Sequence, residues 1–463
     1  MSCQLSLAEL NNILASEVLN FSPANSTQKV LGITTDTRTL KSGEVFLALK
    51  GENFDGHSFV KTALHKGARA LILNQNCALE LSAKVPLFYV EDTLATYQKI
   101  ARVWRDRFDI PVVGITGSVG KTTTKELIAA ILSTQGQVLK SQANYNNEIG
   151  VPKTLLELAG EDRFAVIEMA MRGLGQIAEL TQTAHPTIGV ITNVGTAHIG
   201  LLGSKAAIAQ AKCELLAEMP NTSVAVLNYD NQLLMDTASQ VWQGETITFG
   251  LTGGDIQGKL LNPQTMLVDG MELPLPLSGR HNALNYLAAL AVAKILNIDW
   301  SSFAQSLTVN LPQGRAQRYE LPQDVVILDE TYNAGTESMI AALHLLKETP
   351  GKRQIAILGT MKELGEQSSQ LHQKVGLKVQ ELALDYLLIL KDDPEAQAIA
   401  EGVQNIPTQC FTTHQELNEA LQQLIQPGDR LLFKASNSVG LNKVVEKFKE
   451  DWLRKLQKQD ANG

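Results

Sequence analysis

Residues 114–124 read Gly-Ile-Thr-Gly-Ser-Val-Gly-Lys-Thr-Thr-Thr, small and hydroxylated residues around a single lysine. An apolar run, PVVGIT, leads into this segment and a helical pattern, KELIAAIL, leaves it, so the segment is expected to be a strand-to-helix turn that holds phosphate. Gly117 and Gly120 let backbone amides curl around an anion, and Ser118, Val119 and Thr123 supply the remaining amides of the cradle. Lys121 offers a mobile cation to β and γ phosphates, and the Thr122 hydroxyl suits Mg²⁺. The loop departs from GxxxxGK[ST] at its start, because Ile115 stands where the first glycine falls. A nucleoside triphosphate is implied. The destination of its phosphoryl group is not, since kinases, switches, motors and ligases share this cradle.

Three further residues follow in places where open α/β sheets gather ligands. Glu168 ends the run FAVIEMA and is a candidate Mg²⁺ ligand, although carboxylates at strand ends are also common as caps. His198 follows the next strand in TNVGTAHIG, where a neutral imidazole could bind metal or position substrate. Lys212 lies in the helical segment SKAAIAQAKCELL. An ammonium cannot bind a cation; judged by spacing alone, Lys212 reads as a solvated helix lysine.

The elements that must position these groups fall into three parts. Between Pro111 and Asn228 short apolar runs alternate with helical segments, the order of βαβ units around a parallel sheet. The segment Leu311–Gln323, LPQGRAQRYELPQ, reads as a linker, and a second αβ series follows from VVILDE. The expected fold is therefore α/β with three domains, at residues 1–108, 109–312 and 313–463. The central one is a mononucleotide-binding parallel sheet with the phosphate loop, and the last a Rossmann-like open sheet. A length of 463 residues accommodates three cores.

The net charge of −8 gives no basic field for a nucleic-acid backbone. Cys3, Cys77, Cys213 and Cys410 are scattered without CxxC spacing, as for free thiols in a reducing compartment. The N-terminal MSCQLSLAEL lacks a signal-peptide pattern, and the most apolar stretch, Leu287–Ile298, is too short to span a bilayer. A cytoplasmic location, no membrane insertion and a monomer are expected.

Taken together the motifs resemble the Mur ligases over nearly the whole chain. Thr34–Val60, TTDTRTLKSGEVFLALKGENFDGHSFV, is similar to a uridine-nucleotide segment, placing Thr35, Asp36, Thr37, Arg38, Asp55, Gly56 and His57 at the UDP substrate. GSVGKTTTK resembles the family's phosphate loop. NYNNEIGVP, with Asn144, Asn146 and Asn147, resembles the hallmark of the branch that adds a D-alanyl-D-alanine dipeptide, and its asparagines are expected on the UDP-substrate side. GRHNALNYLAA resembles the adenine-binding helix and makes Asn282 a nucleotide contact. Arg315 matches a phosphate-contacting arginine, and Asp329, Tyr332 and Asn333 match a ribose and base segment.

The resemblance implies ATP as cosubstrate and two Mg²⁺ ions, one at Thr122 and Glu168 and one at His198 and Lys212. It reverses the reading of Lys212, which becomes a carbamate carrying an oxygen donor. With Lys121, Glu168, His198 and Lys212 as the catalytic set, the implied reaction joins UDP-muramoyl tripeptide to D-alanyl-D-alanine through an acyl phosphate, giving the pentapeptide precursor of peptidoglycan. Three positions depart from the family pattern: Thr360 replaces an aspartate, Asn437 an arginine, and His198-Ile199-Gly200 lacks the glutamate of a His-Leu-Glu sequence. The alternatives are a sister ligase adding a single amino acid, against which NYNNEIGVP and DETYNAGTESM argue, and an ATP-dependent switch or binding module, which would need neither acceptor to turn over. The third residue of the tripeptide, diaminopimelate or lysine, is left open.

Overall fold

Apolar strands buried on both faces need helices above and below and crossover connections between parallel neighbours. A computed structural model describes residues 3–51, 54–77 and 84–460, and builds three such sheets. Met1 and Ser2 of the N-terminal reading, and Glu52 and Asn53 within Thr34–Val60, lie outside the described residues.

The first sheet contains β1 (Glu17–Leu19), β2 (Ile33–Thr34), β3 (Val45–Leu47), β4 (Ala70–Asn74) and β5 (Leu87–Val90) in the order β1-β5-β4-β3-β2. The second contains β6 (Val112–Thr116), β7 (Gln137–Lys140), β8 (Asp162–Glu168), β9 (Ile188–Ile191), β10 (Val224–Asn228), β11 (Glu245–Gly250), β12 (Ile256–Asn262), β13 (Thr265–Val268) and β14 (Met271–Pro274). Its order is β14-β13-β12-β11-β10-β9-β6-β8-β7, parallel from β7 to β12. β12, β13 and β14 form an antiparallel meander at one edge, which the sequence analysis did not anticipate. The third sheet joins β15 (Gln317–Leu321), β16 (Val325–Asp329), β17 (Arg353–Gly359), β18 (Tyr386–Leu390), β19 (Thr408–Phe411) and β20 (Asp429–Lys434) in the order β15-β16-β20-β17-β18-β19.

One expectation is corrected here. Leu311–Gln323 is not a linker throughout, because Gln317–Leu321 pairs antiparallel with β16. Its half-buried positions, Gln317, Tyr319 and Leu321, alternate with exposed Arg318 and Glu320, and Tyr319 and Leu321 pack on the third core. With two apolar residues in five, the period-2 signal was masked by the surrounding Pro and Gly.

In the central sheet the period-2 pleat sends alternate side chains to opposite faces. Ala165, Ile167, Ala225 and Leu227 enter one core, while Phe164, Val166 and Val226 enter the other with the helices Lys121–Leu132 and Arg280–Ile295. The first core continues without a break from Leu5 and Phe88 through Trp104 to Met339. Part of that continuity comes from the helix Thr93–Arg105. The Asp92 carboxylate caps it by accepting from the Leu94 and Ala95 amides, and Tyr97, Ile100, Ala101 and Trp104 form its buried stripe. Trp104 Nε1 donates to Leu158 O at 3.1 Å and Arg105 Nε to Ala184 O at 3.0 Å, so this helix is pinned to the central sheet by its last turn.

The third sheet depends on an ion pair at the base of β20. Arg353 Nε and Nη2 donate to Asp429 Oδ1 and Oδ2 at 2.9 and 2.6 Å, and Asp429 Oδ2 also accepts from the Gln426 amide. Asp429 is fully buried. Asp429→Ala removes both carboxylate bonds from the guanidinium, which keeps only Leu424 O as an acceptor, and takes the acceptor from the Gln426 amide, and it should destabilise this unit by about 3 kcal/mol. Urea unfolding followed by circular dichroism checks it; an unshifted transition contradicts the assignment.

Candidate active site

The phosphate loop is where β6 ends and the helix Lys121–Leu132 begins. Gly120 caps that helix with φ +85°, a left-handed conformation that favours glycine. A Cβ at Gly120 would collide with Asn285 Oδ1, and one at Gly117 with Thr192 Oγ1. The loop is tied down by residues after β9: Ser118 N donates to Asn193 O, Val119 N to Asn193 Oδ1, and Thr192 Oγ1 to Val119 O, at 2.6–3.0 Å. Its shape is thus fixed before any ligand arrives, with the first-turn amides of the helix available to an anion. Lys121 Nζ folds back onto Gly117 O at 2.7 Å. Loss of water holds the Lys121 ammonium below its usual pKa, Glu168 acts in the opposite sense, and Arg315 depresses it further.

Glu168, buried at the end of β8, accepts from Thr122 Oγ1 on Oε2 at 2.9 Å and from Asn146 Nδ2 on Oε1 at 2.8 Å. Its own amide donates to Ser141 Oγ at 3.0 Å. Lys125, one helical turn after Lys121, is buried beside it, with Nζ 3.8 Å from Glu168 Oε2, 3.1 Å from Glu126 Oε1 and donating to Ser141 O. Among the described residues no group of three or more His, Cys, Asp or Glu side chains forms a ready metal cage. A hydroxyl and a carboxylate side by side nevertheless fit Mg²⁺, which takes one or two protein oxygens and fills its shell with phosphate and water.

His198 and Lys212 approach the same place from after β9 and from the helix Lys205–Glu218. His198 adopts a left-handed backbone, φ 65°. Burial lowers its pKa, Lys121 and Lys212 lower it further, and Glu363 opposes them. Lys212 is 2% exposed, which corrects the solvated-helix reading. Its pKa is depressed well below that of a free lysine, chiefly by burial and then by Lys121. The helix carrying it is apolar on nearly every side, and this hid from the sequence which face it buries.

The third sheet covers this seam. Arg315 lies 3.9 Å over the Tyr332 ring, and its Nε is buried without a hydrogen-bond partner. Asp329 Oδ1 accepts from the amide and hydroxyl of Thr331, while its Oδ2 is buried and unpartnered. Burial raises the Asp329 pKa. Asn333 O accepts from Lys434 Nζ at 2.9 Å, and Lys434 in turn bears on His281, whose pKa burial depresses to about 4. Asn282, next to His281, accepts from Asn285 Nδ2, and Asn285 accepts from Thr124. Asn282 is thus connected through Asn285 to the first turn of the helix that follows the phosphate loop. An orphaned donor and an orphaned acceptor at the cover suit a ligand that carries both acceptors and donors, as a nucleotide does.

The first sheet presents a separate cluster. Asp36 forms a two-pronged pair with Arg38 at 2.7–3.0 Å, and Thr37 O accepts from Lys66. Thr35 is half-buried beside them. Lys153, 4.0 Å from the Tyr145 ring, adds its charge near Asp36 and so brings the NYNNEIGVP segment toward this cluster. Asp55 and His57 are engaged internally: His57 Nδ1 is 2.6 Å from Asp55 Oδ1, and its Nε2 accepts from the Asn74 amide at 3.0 Å. Gly56 packs where a Cβ would lie 2.7 Å from Leu49 O. Within NYNNEIGVP, Asn147 Oδ1 accepts from Gly150 N, Asn144 is exposed, and Asn146 joins Glu168.

Several residues of the site were not foreseen. Lys125 and Asn285 were within reach, since one repeats Lys121 a helical turn later and the other follows Asn282 by three residues. Asn193, Arg172, Glu337 and Glu363 carried no local signal; their roles arise from contacts across the fold. Lys121→Ala and Glu168→Ala should each lower turnover at least about 100-fold without unfolding the chain, as read by steady-state rates and thermal melting.

The chain is similar to known proteins in both sequence and fold. Residues 29–105 match "Mur ligase family, catalytic domain", residues 115–293 "Mur ligase middle domain", and residues 314–437 "Mur ligase, glutamate ligase domain". A UDP-N-acetylmuramoyl-tripeptide–D-alanyl-D-alanine ligase of Synechocystis is 57% identical, covering 97% of this chain and 98% of its own. The Escherichia coli ligase of the same name is 34% identical, covering 90% and 94%. Among solved structures, MurF from Acinetobacter baumannii superposes with a TM-score of 0.88 at 29% identity, covering 97% of this chain and 99% of that one. MurF ligase from Thermotoga maritima in complex with ADP gives 0.82 at 31%, covering 92% and 98%. Matched along its length in sequence and in structure, the chain belongs to the Mur ligase family.

Proposed function

We propose that this chain joins the amine of D-alanyl-D-alanine to the terminal carboxylate of a UDP-N-acetylmuramoyl tripeptide with conversion of ATP to ADP and phosphate, giving the UDP-muramoyl pentapeptide of peptidoglycan synthesis. The observation that carries the reading is the convergence of a fixed phosphate loop, the Thr122–Glu168 pair, half-buried Lys121 and His198 and buried Lys212 beneath a cover supplied by the third sheet. The relatives at 57% and 34% identity bear the name of this activity.

A carboxylate is a poor electrophile, so it must be activated before an amine can attack. The tripeptide carboxylate takes the γ phosphoryl group of ATP, with ADP as leaving group, and the dipeptide amine then displaces phosphate from the acyl carbon. Lys121 draws the phosphate oxygens into the loop, and the amides of residues 117–123 hold them in line. Arg315 and the Asp329 carboxylate, each with an orphaned buried atom, receive the nucleotide beside Tyr332, Asn333 and Asn282. Residues 1–108 hold the uridine end through the Asp36 cluster, residues 109–312 the ATP, and residues 313–463 close over them with the dipeptide, excluding water from the acyl phosphate.

Thr122 with Glu168, and His198 with a carbamylated Lys212, are the sites for two Mg²⁺ ions, which when bound supply charge neutralisation at the phosphate oxygens. The carbamate forms when the neutral Lys212 amine adds to the carbon of CO₂, making an N–C bond and releasing one proton. The depressed pKa of Lys212 favours the amine form that this step requires. Among the described residues no helix is long and apolar enough to cross a membrane; a cytoplasmic location and a monomeric state belong to the proposal.

Omitting substrates in turn tests the reaction. Phosphate release should require both the tripeptide and the dipeptide and yield a product of pentapeptide mass; release indifferent to both acceptors would identify a switch, and turnover with a single amino acid a sister ligase. Lys212→Ala should lose about 100-fold or more in rate, and added formate or acetate should restore part of it by filling the vacated oxygen position. A fully active Lys212→Ala variant ends the carbamate assignment.

A further inference from the structure

The segment Gly195–Gly200, which carries His198, is gripped at both ends by residues of the third sheet's unit. At one end Glu337 accepts from the Thr196 amide at 2.9 Å and from the Thr196 hydroxyl at 2.8 Å. At the other, Gly200 N donates to Glu363 O at 3.1 Å. Between them His198 Nδ1 stands 2.6 Å from Glu363 Oε2, while Glu363 Oε1 accepts from Arg172 Nη2 at 3.0 Å. Glu363 therefore bridges an imidazole and a guanidinium of the central unit from the opposite side of the seam.

The contact is built at a conformational cost. His198 and Glu363 both adopt left-handed backbones, φ 65° and 64°, which non-glycine residues enter only when their surroundings hold them there. Gly200 and Gly365 meet backbone to backbone: a Cβ on Gly365 would lie 2.7 Å from Gly200 Cα, and one on Gly200 would lie 2.9 Å from Glu363 O. The segment itself lacks a carboxylate after His198, because Ile199 and Gly200 follow it. Glu363 brings one from another unit.

We propose that Glu363 is a positioning residue for His198. Its carboxylate accepts the Nδ1–H, fixes the tautomer and the ring plane, and leaves Nε2 as the lone-pair donor of a ring whose electrostatic neighbours are Lys121 and Lys212. Because the carboxylate belongs to the third sheet's unit, the setting of His198 depends on the contact between that unit and the central one. The link to turnover rests on the ligase reading; the link to the ring does not.

The test uses the full chain labelled with ¹⁵N in its histidine rings, with His198 assigned by comparison with His198→Gln. Wild type should show the Nδ1–H tautomer at His198. Glu363→Ala should shift both ring nitrogens toward the averaged values of a freely exchanging imidazole, and Glu363→Gln, which keeps an acceptor oxygen, should recover at least part of the bias. In steady state Glu363→Ala should lower kcat about 10- to 100-fold with KM for the UDP-tripeptide within about two-fold of wild type. Unchanged His198 resonances in Glu363→Ala, or, should the alanine variant fail to fold, in Glu363→Gly, which removes the acceptor and suits the φ of 64° at this position, overturn the proposal, as does a kcat equal to wild type. A wild-type chain that makes no pentapeptide defeats the ligase reading and leaves the ring measurement to decide the positioning role.

Discussion

Lys121, Lys212 and Arg315 are brought together at the seam between the second and third sheets with little water to solvate them. Such charges are expensive to bury, and the protein meets the expense in different ways. Lys121 bonds to the loop it serves, and Lys212 sheds its proton more readily than a free lysine. Arg315 cannot deprotonate, so it stacks on Tyr332 and leaves Nε unpartnered. The strand-end carboxylate beside the phosphate loop, Glu168, is already held by Thr122 and Asn146. A polyanion entering this place resolves the imbalance, and the surrounding elements can be understood as what holds the amines in place until it comes.

That holding is done by backbone. The phosphate loop is laced to Thr192 and Asn193, the helix of Asn282 and Asn285 leans on Gly120 so closely that a side chain there would collide, and the Gly195–Gly200 segment is carried between two carboxylates of the neighbouring unit. Each restraint joins elements far apart in sequence. Rigid placement of this sort lets electrostatics act without reorganisation when charge moves.

The residues of the phosphate loop, the strand-end Glu168 and the alternation of strands and helices could be read from the chain because each is a local pattern with a local physical cause. The strand Gln317–Leu321 could not, since its pleat shows in burial against β16 and its sequence is mostly polar. Lys212 was read as solvated for a related reason: a helix of alanines and short apolar residues gives little sign of which side it buries. Glu363 and Glu337 were invisible, because a charge in a turn acquires meaning only from what faces it. Asp36, Arg38, Asp55 and His57 were marked out by resemblance, and the structure adds that Asp55 and His57 bond to each other and that His57 accepts from the Asn74 amide.

The account stands or falls on whether the substrate carboxylate is phosphorylated at the Lys121 loop before the amide forms. UDP-muramoyl tripeptide bearing ¹⁸O in its terminal carboxylate, turned over with ATP and D-alanyl-D-alanine, measures this directly. Transfer of one ¹⁸O into each inorganic phosphate released is the predicted result, because the oxygen that attacks phosphorus leaves with it when the amine attacks carbon. Phosphate free of ¹⁸O, formed together with the pentapeptide, would contradict the acyl phosphate and with it the role assigned to the loop.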